Sequence, residues 1–379
     1  MYLLEVNASG FKGCDNNFNI SFLPRANKTD ADKEFELIEI DDELYIFSTL
    51  AIIGKNASGK TSAVDLLGLV YDLFSNFRIN SMRKRFIIWN KEVSLDITFY
   101  HEKKLYRYKT KIKIMDGISK SIIFENQELF VRPYFKTYIK DNSLLDYSKY
   151  AKVENANQLP LDVSILFNLF GKMDIYGIYY SIKEDKFIDY ANTFELYKSL
   201  PDSSNLLSSI IQLFDDSLKK IKMINGDKYE ITYNDDTKKT YTLLELEDLL
   251  SSGTAKGFDL FTTVVYSLKF GSALIIDEIE NHFHKTLVDN LINLYKDKTV
   301  NKKGAVLVFT THYCELLDLF NRSDNIYITK HKEKIIIENM YEKYGTRNDL
   351  LKSKRFYKNA FGTNVNYDLL MNFKKELMK

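Results

Sequence analysis

The sequence predicts an α/β fold in which a mostly parallel core sheet carries helices on its faces, an antiparallel lobe is attached, and a helical insertion splits the whole. Three observations predict it. An apolar strand near the start runs into a Gly-rich loop and then a helix; helix and strand alternate between residues 255 and 320; and two hairpins with period-two patterning lie between them. At 379 residues and 45% apolar side chains the chain can bury one or two cores, and four Pro with fifteen Gly leave little room for interspersed linkers.

Strand-like runs occupy Leu3–Val6, Phe18–Phe22 and Leu44–Ile53, with a charged stretch at Lys28–Glu34 among them. The last run enters the Gly-rich loop. From Thr61 to Phe74 apolar residues recur at Val64, Leu67, Val70 and Leu73/Phe74, which is helical spacing. From Glu92 the period drops to two: Val93, Leu95, Ile97 and Phe99 alternate with polar neighbours, and after a turn at His101–Lys104 a partner strand covers Leu105–Ile114. Residues 141–226 lose strand character, and apolar spacing in Leu161–Phe170 and Leu206–Leu218 predicts helices. A second hairpin turns on Asn234 and Asp235. Then come helix Ala255–Lys269, strand Ala273–Asp277, helix Lys285–Lys296, strand Ala305–Thr310 and helix Tyr313–Phe320. The organisation expected is an N-lobe over 1–140, a helical insertion over 141–226, a C-lobe over 227–340 and a helical tail over 341–379.

Lys+Arg number 53 against 52 Asp+Glu, so no whole-surface funnel draws polyanions, and any phosphate or nucleic-acid binding has to be local. Basic clusters with interleaved aromatics at Arg78–Lys91 (Arg83, Lys84, Arg85, Phe86, Trp89) and Lys352–Lys358 (with Tyr357) are candidate DNA or RNA contacts, set against the solvated face that charge runs usually form. Cys14 and Cys314 are far apart and offer neither a disulfide framework nor a CxxC metal site, which suits a reducing compartment and argues against zinc. The N-terminus lacks the order of a signal peptide, and Lys269 interrupts the longest apolar run. No membrane span is predicted, and the expected location is cytoplasmic.

The chemistry concentrates in four places. Gly54-Lys55-Asn56-Ala57-Ser58-Gly59-Lys60-Thr61 fits G-x-x-x-x-G-K-[ST] between a predicted strand and a predicted helix. Its glycines let backbone N–H groups approach phosphate oxygens, the helix N-terminus adds partial positive charge, Lys60 reaches the β/γ-phosphates, and Thr61 can ligate Mg²⁺. Ser62, next along, completes the candidate phosphate-binding set. Ala273–Glu278 is an apolar strand ending in adjacent carboxylates, at the sheet edge where parallel folds place ligands. There Asp277 would hold Mg²⁺ through water and Glu278 would polarise an attacking water; a solvated acidic turn is the plain alternative. Leu250-Ser251-Ser252-Gly253-Thr254 opens a helix with small and hydroxyl residues, either a second anion site or an ordinary N-cap. Val308-Phe309-Thr310-Thr311-His312 is a further apolar strand, ending in a histidine that can donate to a γ-phosphate or a water, or serve structure alone.

In this order the four elements resemble the Walker A, signature, Walker B and H-switch motifs of ABC-type ATPase heads in the SMC, RecF and OLD families. The wording GKNASGKT, LSSGT, IDEIENHFH and TTH looks most like stand-alone bacterial ATPases of the AAA-15/AAA-21 group. That group includes ATPase partners of RloB-like or Toprim nucleases in abortive-infection and other anti-phage systems. The segment RNDLLKSKRFYKNAFG resembles the endings of RloA- and AbiL-type ATPases. The resemblance covers about 1–140 and 227–362 and leaves the insertion uncovered. It implies a P-loop NTPase of ABC-ATPase type that binds and hydrolyses ATP with Mg²⁺ as a head-to-tail homodimer. Lys60 and Thr61 of one subunit would face Ser252 and Gly253 of the other, and Glu278 and His312 would act on the hydrolytic water. Glu280–His284 would form the D-loop region, and Lys12 would be a further nucleotide contact; the glutamine such heads use after the P-loop helix is not placed. No long heptad stretch, exporter membrane domain or Asp-x-Asp pair after His312 accompanies the head. An effector in trans, a nuclease or toxin of anti-phage defence, is therefore expected. The alternative is a RecF-like DNA-binding ATPase of repair or recombination.

Overall fold

The computed structural model describes residues 1–79, 92–114, 122–154, 159–170, 177–181, 203–225, 228–281, 283–345, 351–362 and 367–378. β1 (Tyr2–Ser9) and β2 (Phe18–Ser21) pair antiparallel. The charged stretch that follows is a helix, α1 (Asp30–Phe35), because Thr29 and Asp32 close a capping box at its start. β3 (Leu37–Asp41) and β4 (Leu44–Phe47) form a small hairpin, and β5 (Thr49–Ile53) belongs to another sheet. The single run expected over Leu44–Ile53 is thus two strands, parted at buried Ser48. There the backbone changes partners: the Ser48 N–H bonds the Glu36 carbonyl, while its own carbonyl takes the Leu307 N–H.

α2 (Lys60–Asn76) leaves the Gly-rich loop. β6 (Glu92–His101), β7 (Lys104–Ile114), β8 (Ile122–Pro133) and the short β9 (Ala151–Lys152) complete an antiparallel lobe of order β2-β1-β6-β7-β8-β9. Its central hairpin turns on Glu102 and Lys103, both with φ positive (46° and 59°), the backbone that matches strand twist in a two-residue turn.

The stretch 141–226, read as helical, is mixed in its described part. It holds a helical turn at Phe167–Phe170 and α3 (Ser203–Gln212), but also β10 (Gly177–Ser181) and β11 (Leu218–Asn225). Gly-Ile-Tyr-Tyr-Ser is rich in β-branched and aromatic residues, and the helical spacing read across Leu206–Leu218 stops at Gln212, with Leu218 opening a strand. β12 (Lys228–Tyr233) and β13 (Lys238–Thr242) form the expected hairpin and take β11 as a third strand. Thr242 and Glu245 then cap α4 (Leu243–Leu249), and α5 (Ser252–Phe270), β14 (Ala273–Asp277), α6 (Lys285–Lys296) and β15 (Leu307–Thr311) follow. A 3-10 helix at Cys314–Leu319 stands where an α-helix was expected. The chain continues through β16 (Ile326–His331), β17 (Ile335–Asn339), α7 (Met340–Tyr344), α8 (Lys352–Tyr357) and α9 (Tyr367–Leu377).

The core sheet has the order β10-β14-β15-β5-β16-β17, parallel except for β17. Side chains alternate across it: Leu50, Ile52, Ile275, Val308 and Tyr327 face α2 and the antiparallel lobe, while Ala51, Ile53, Leu274, Ile276, Leu307 and Phe309 face α5 and α6. α2 is apolar nearly all round because it lies between sheet and lobe, burying Val64, Leu66, Leu67, Leu69, Val70 and Leu73. One ionic cluster ties the layers. Fully buried Arg322 bonds Asp324 through Nε and Nη2 (2.8 and 2.6 Å) and Asp32 through Nη1 (2.8 Å). This is the α/β fold the sequence predicts, with a mixed core sheet and an antiparallel lobe. No described helix is long and apolar enough to cross a membrane.

Candidate nucleotide site

Three parallel strands bring their C-terminal ends to one edge. The register Ile276↔Phe309 and Thr311↔Ile53 sets the acidic pair after β14, His312 after β15 and the Gly-rich loop after β5 side by side. This is where open α/β sheets bind ligands.

The loop itself reads as an anion cradle. Lys55, Asn56 and Ala57 are exposed, whereas Gly54, Ser58, Lys60 and Ser62 are buried. Gly59 sits at φ 105°, and a Cβ there would lie 2.1 Å from Ile335 Cγ2, so only glycine fits. No side chain caps α2 at Gly59, which leaves the first N–H groups of the helix pointing at the loop. Ser58 Oγ is held 2.7 Å from Thr329 Oγ1 on β16, and Ser62 lies against the Cys14 thiol, whose pKa burial pushes up to about 12. Lys60 Nζ donates to the carbonyls of Gly54 (2.9 Å) and Lys55 (3.2 Å) and lies 3.1 Å from His312 Nδ1. An ammonium has donors only, so Nδ1 accepts and the proton of a neutral His312 rests on Nε2. That Nε2 is 3.7 Å from Glu278 Oε1.

The acidic pair is wired to its neighbours. Asp277 Oδ2 accepts from Thr61 Oγ1 (2.9 Å), and its Oδ1 accepts from buried Thr310 Oγ1 (2.6 Å). The same Thr310 hydroxyl accepts the Glu278 N–H at 2.7 Å. Glu278 has φ 56°, an unusual backbone for a residue with a side chain, and its Oε2 accepts from Asn281 Nδ2 at 2.5 Å. His312 offers its main-chain N–H to Glu280 Oε1 at 2.5 Å. Thr310, Thr329 and Ile335 have no role assigned from the sequence, and Glu280 and Asn281 are expected there only as part of the D-loop segment Glu280–His284. The signal for Glu280 was present in its spacing two residues beyond Glu278.

The remaining expected residues fall out as follows. Lys12 pairs with Asp65 (2.5 Å), one turn into α2 beyond Thr61, and so stands beside the loop. Ser251 caps α5 by accepting the Thr254 N–H at 3.1 Å, and among the described residues a Cβ on Gly253 would meet only Ser251 Oγ, at 3.9 Å. Ser252 opens α5, which packs on the opposite face of the core sheet from α2. His284 caps α6 through the Thr286 N–H, while His282 lies outside the described residues. Arg83, Lys84, Arg85, Phe86 and Trp89 also lie outside them. In the second basic cluster Lys352 is not a surface charge: it is buried, donates to the Phe320 carbonyl at 2.6 Å, and burial lowers its pKa. The edge strand β10 pairs with β14 so that Ser181 is level with Asp277.

The AAA_21 family model, described as "AAA domain, putative AbiEii toxin, Type IV TA system", matches residues 50–318, a span holding all four motifs. No curated protein matches the chain. Among solved structures, the SMC head domain from Thermotoga maritima is similar at 12% identity and a TM-score of 0.44, over 89% of this chain and 99% of that one. The SmcHead bound to the C-winged helix domain of ScpA is similar at 14% identity and a TM-score of 0.46, over 91% of this chain and 100% of that one.

Proposed function

The chain belongs to the AAA_21 family of AAA domains, and on this premise we propose that it is an ATP- and Mg²⁺-dependent dimerising switch that hydrolyses ATP and controls an effector in trans. The observation that carries the reading is the convergence of an uncapped helix N-terminus, Lys60, the Thr61–Asp277 pair, Glu278 and His312 on one sheet edge.

The residues suit the substrate. The α2 N–H groups and Lys60 receive the phosphates, and Lys60 exchanges its bonds to the Gly54 and Lys55 carbonyls for phosphate oxygens. Thr61 and Asp277 would hold Mg²⁺. Thr61 would do so directly and Asp277 through water; their hydrogen bond of 2.9 Å already sets a hydroxyl and a carboxylate oxygen side by side, the oxygen donors that such a cation takes. When bound, the ion neutralises phosphate charge. Glu278 is the base for the attacking water, and release from Asn281 frees its carboxylate for that task. His312, with its proton on Nε2, donates toward the same centre.

Ser252 and Gly253 serve the partner subunit's nucleotide. Support comes from their place on α5, across the core sheet from α2, and from the open space at Gly253. The dimer is then head to tail through two ATP molecules. The effector is a nuclease or toxin of anti-phage defence, of the kind served by RloA- and AbiL-type ATPases; the AbiEii description of the family supports a defence role. For a RecF-like DNA-binding role the second basic cluster offers exposed Lys354, Tyr357 and Lys358 but not Lys352, which is buried.

The test is Glu278→Gln with ATP and Mg²⁺, followed by light scattering and phosphate release. Turnover should fall by about 100-fold or more while dimers accumulate. Unchanged turnover, or an unchanged mass with ATP, refutes the switch.

A further inference from the structure

We propose that Glu280 is the positioning residue for His312, so that the acidic turn after β14 sets the histidine at the hydrolytic centre; this rests on the reading of Glu278 and His312 given above. Glu280 Oε1 accepts the main-chain N–H of His312 at 2.5 Å, across from one strand end to the next. The residue is only 6% exposed, and its other oxygen, Oε2, is buried with no hydrogen-bond partner among the described residues. A carboxylate buried and half satisfied is costly, and a neutral residue of similar size would pack there at lower cost. Stability alone therefore does not account for it.

The backbone explains how the grip arises. Glu278, at φ 56°, turns the chain back at the end of β14, and the next residue, Ile279, bonds through its N–H to the Thr310 carbonyl at 3.0 Å. That bond lays the turn against β15 and delivers the Glu280 side chain to the residue after it. Because Glu280 takes the main-chain N–H of His312, it fixes the Cα and leaves both ring nitrogens for Lys60 and Glu278. Bonds to a charged acceptor are short and strong, so this one holds the histidine more firmly than a neutral partner would. The same turn supplies Asn281, which holds the Glu278 carboxylate. Base and histidine are thus aimed by adjacent residues of one turn.

The experiment uses the full chain with Glu280→Ala and Glu280→Gln, each alone and combined with His312→Ala. Displacing the histidine by about 1 Å should lower kcat by roughly 30- to 100-fold in Glu280→Ala, with KM changed less than about threefold. Glu280→Gln keeps an amide oxygen for the N–H and should stay within about fivefold of the parent. In the His312→Ala background, removing Glu280 should cost less than about twofold more, as expected for residues acting in series. A second readout does not need turnover: with ¹⁵N-labelled histidine, the His312 amide proton should resonate far downfield, move upfield in Glu280→Ala and stay in Glu280→Gln. An additive loss in the His312→Ala background, or an amide signal that Glu280→Ala leaves in place, overturns the proposal. Full turnover in Glu278→Gln instead removes the underlying hydrolytic reading, and the amide signal tells the two failures apart.

Discussion

Thr310→Val isolates the wiring of the acidic pair from its charges. The Thr310 hydroxyl is fully buried, donates to Asp277 Oδ1 at 2.6 Å and accepts the Glu278 N–H at 2.7 Å. Valine keeps the size and β-branching of threonine, so β15 retains its packing. Two losses follow. A bond to a carboxylate contributes about 1.5–3 kcal/mol, and a partly buried N–H left without an acceptor costs about 1–3 kcal/mol. Asp277 keeps its bond from Thr61 at 2.9 Å, so its charge is not stranded and the lower halves of these ranges apply, roughly 2–4 kcal/mol in total.

Part of that sum lowers stability alone, because the bonds exist before substrate arrives. The rest concerns aim, since Thr310 fixes both the Asp277 carboxylate and the backbone from which Glu278 projects. If half the sum is expressed in the transition state, kcat falls about 5- to 30-fold, at about 1.4 kcal/mol per factor of ten. Steady-state phosphate release measures it, with a melting curve alongside. Thr310→Ser keeps the hydroxyl and should recover most of the rate. A Val variant within about twofold of the parent, or a Ser variant as impaired as the Val variant, refutes the reasoning.

Three further outcomes are expected. Arg322→Met strands Asp32 and Asp324 in the interior, and losing one member of a buried ion cluster should cost about 3–5 kcal/mol, read as a lower denaturation midpoint; an unmoved midpoint would sink the idea that the cluster joins the layers. Burial acts to raise the Glu338 carboxyl, but its bonds from Lys330 (2.8 Å) and Tyr344 (2.7 Å) outweigh it and hold the pKa below the ordinary range. Its contribution is therefore present at neutral pH and lost as pH falls through the folded pKa. Amide exchange in β16–β17 should quicken in acid, and Glu338→Gln should abolish that pH dependence; equal pH profiles would contradict it. Cys14, buried and with its pKa raised to about 12, should resist iodoacetamide in the native protein and react after denaturation, as followed by mass spectrometry; rapid native labelling would contradict the burial.

What was legible in the sequence was what local pattern encodes. β14 and α6 have the bounds their spacing predicts, Ala273–Asp277 and Lys285–Lys296, because each is a run closed by its own polar residues. The loop Gly54–Thr61 stood out for the same reason: its glycines, lysine and hydroxyl are contiguous. The parts that were not legible depend on partners far away in the chain. Thr329 and Ile335 press on Ser58 and Gly59 from more than 250 residues downstream, and β16 and β17 carry no motif of their own. Glu280 and Asn281 stood in view as part of the expected D-loop segment, yet the contacts they make here exist only where β14 and β15 end together. Cys314–Leu319 forms a 3-10 helix whose end is tied to distant residues, Asp318 to Ser353 and the Phe320 carbonyl to Lys352, contacts that local spacing does not encode.

The insertion changes meaning most. As a helical appendage it would stand apart from the chemistry and affect the site only through the solvent or a partner. β10 removes that separation. Its five residues pair in parallel with the whole of β14, from Gly177 opposite Ala273 to Ser181 opposite Asp277. A parallel edge strand shares its ladder with the neighbour it covers, so any shift of β10 alters the hydrogen bonds of the strand that carries Asp277 and leads into Glu278. On its other edge β14 is held by β15, whose Thr310 bonds the same two acidic residues. The acidic pair thus lies between a strand fixed in the ATPase core and a strand supplied by the insertion. A displacement of residues 177–181 therefore reaches the strand that carries the carboxylates through a single ladder. The acidic pair and the segment 177–181 are therefore joined within the sheet itself.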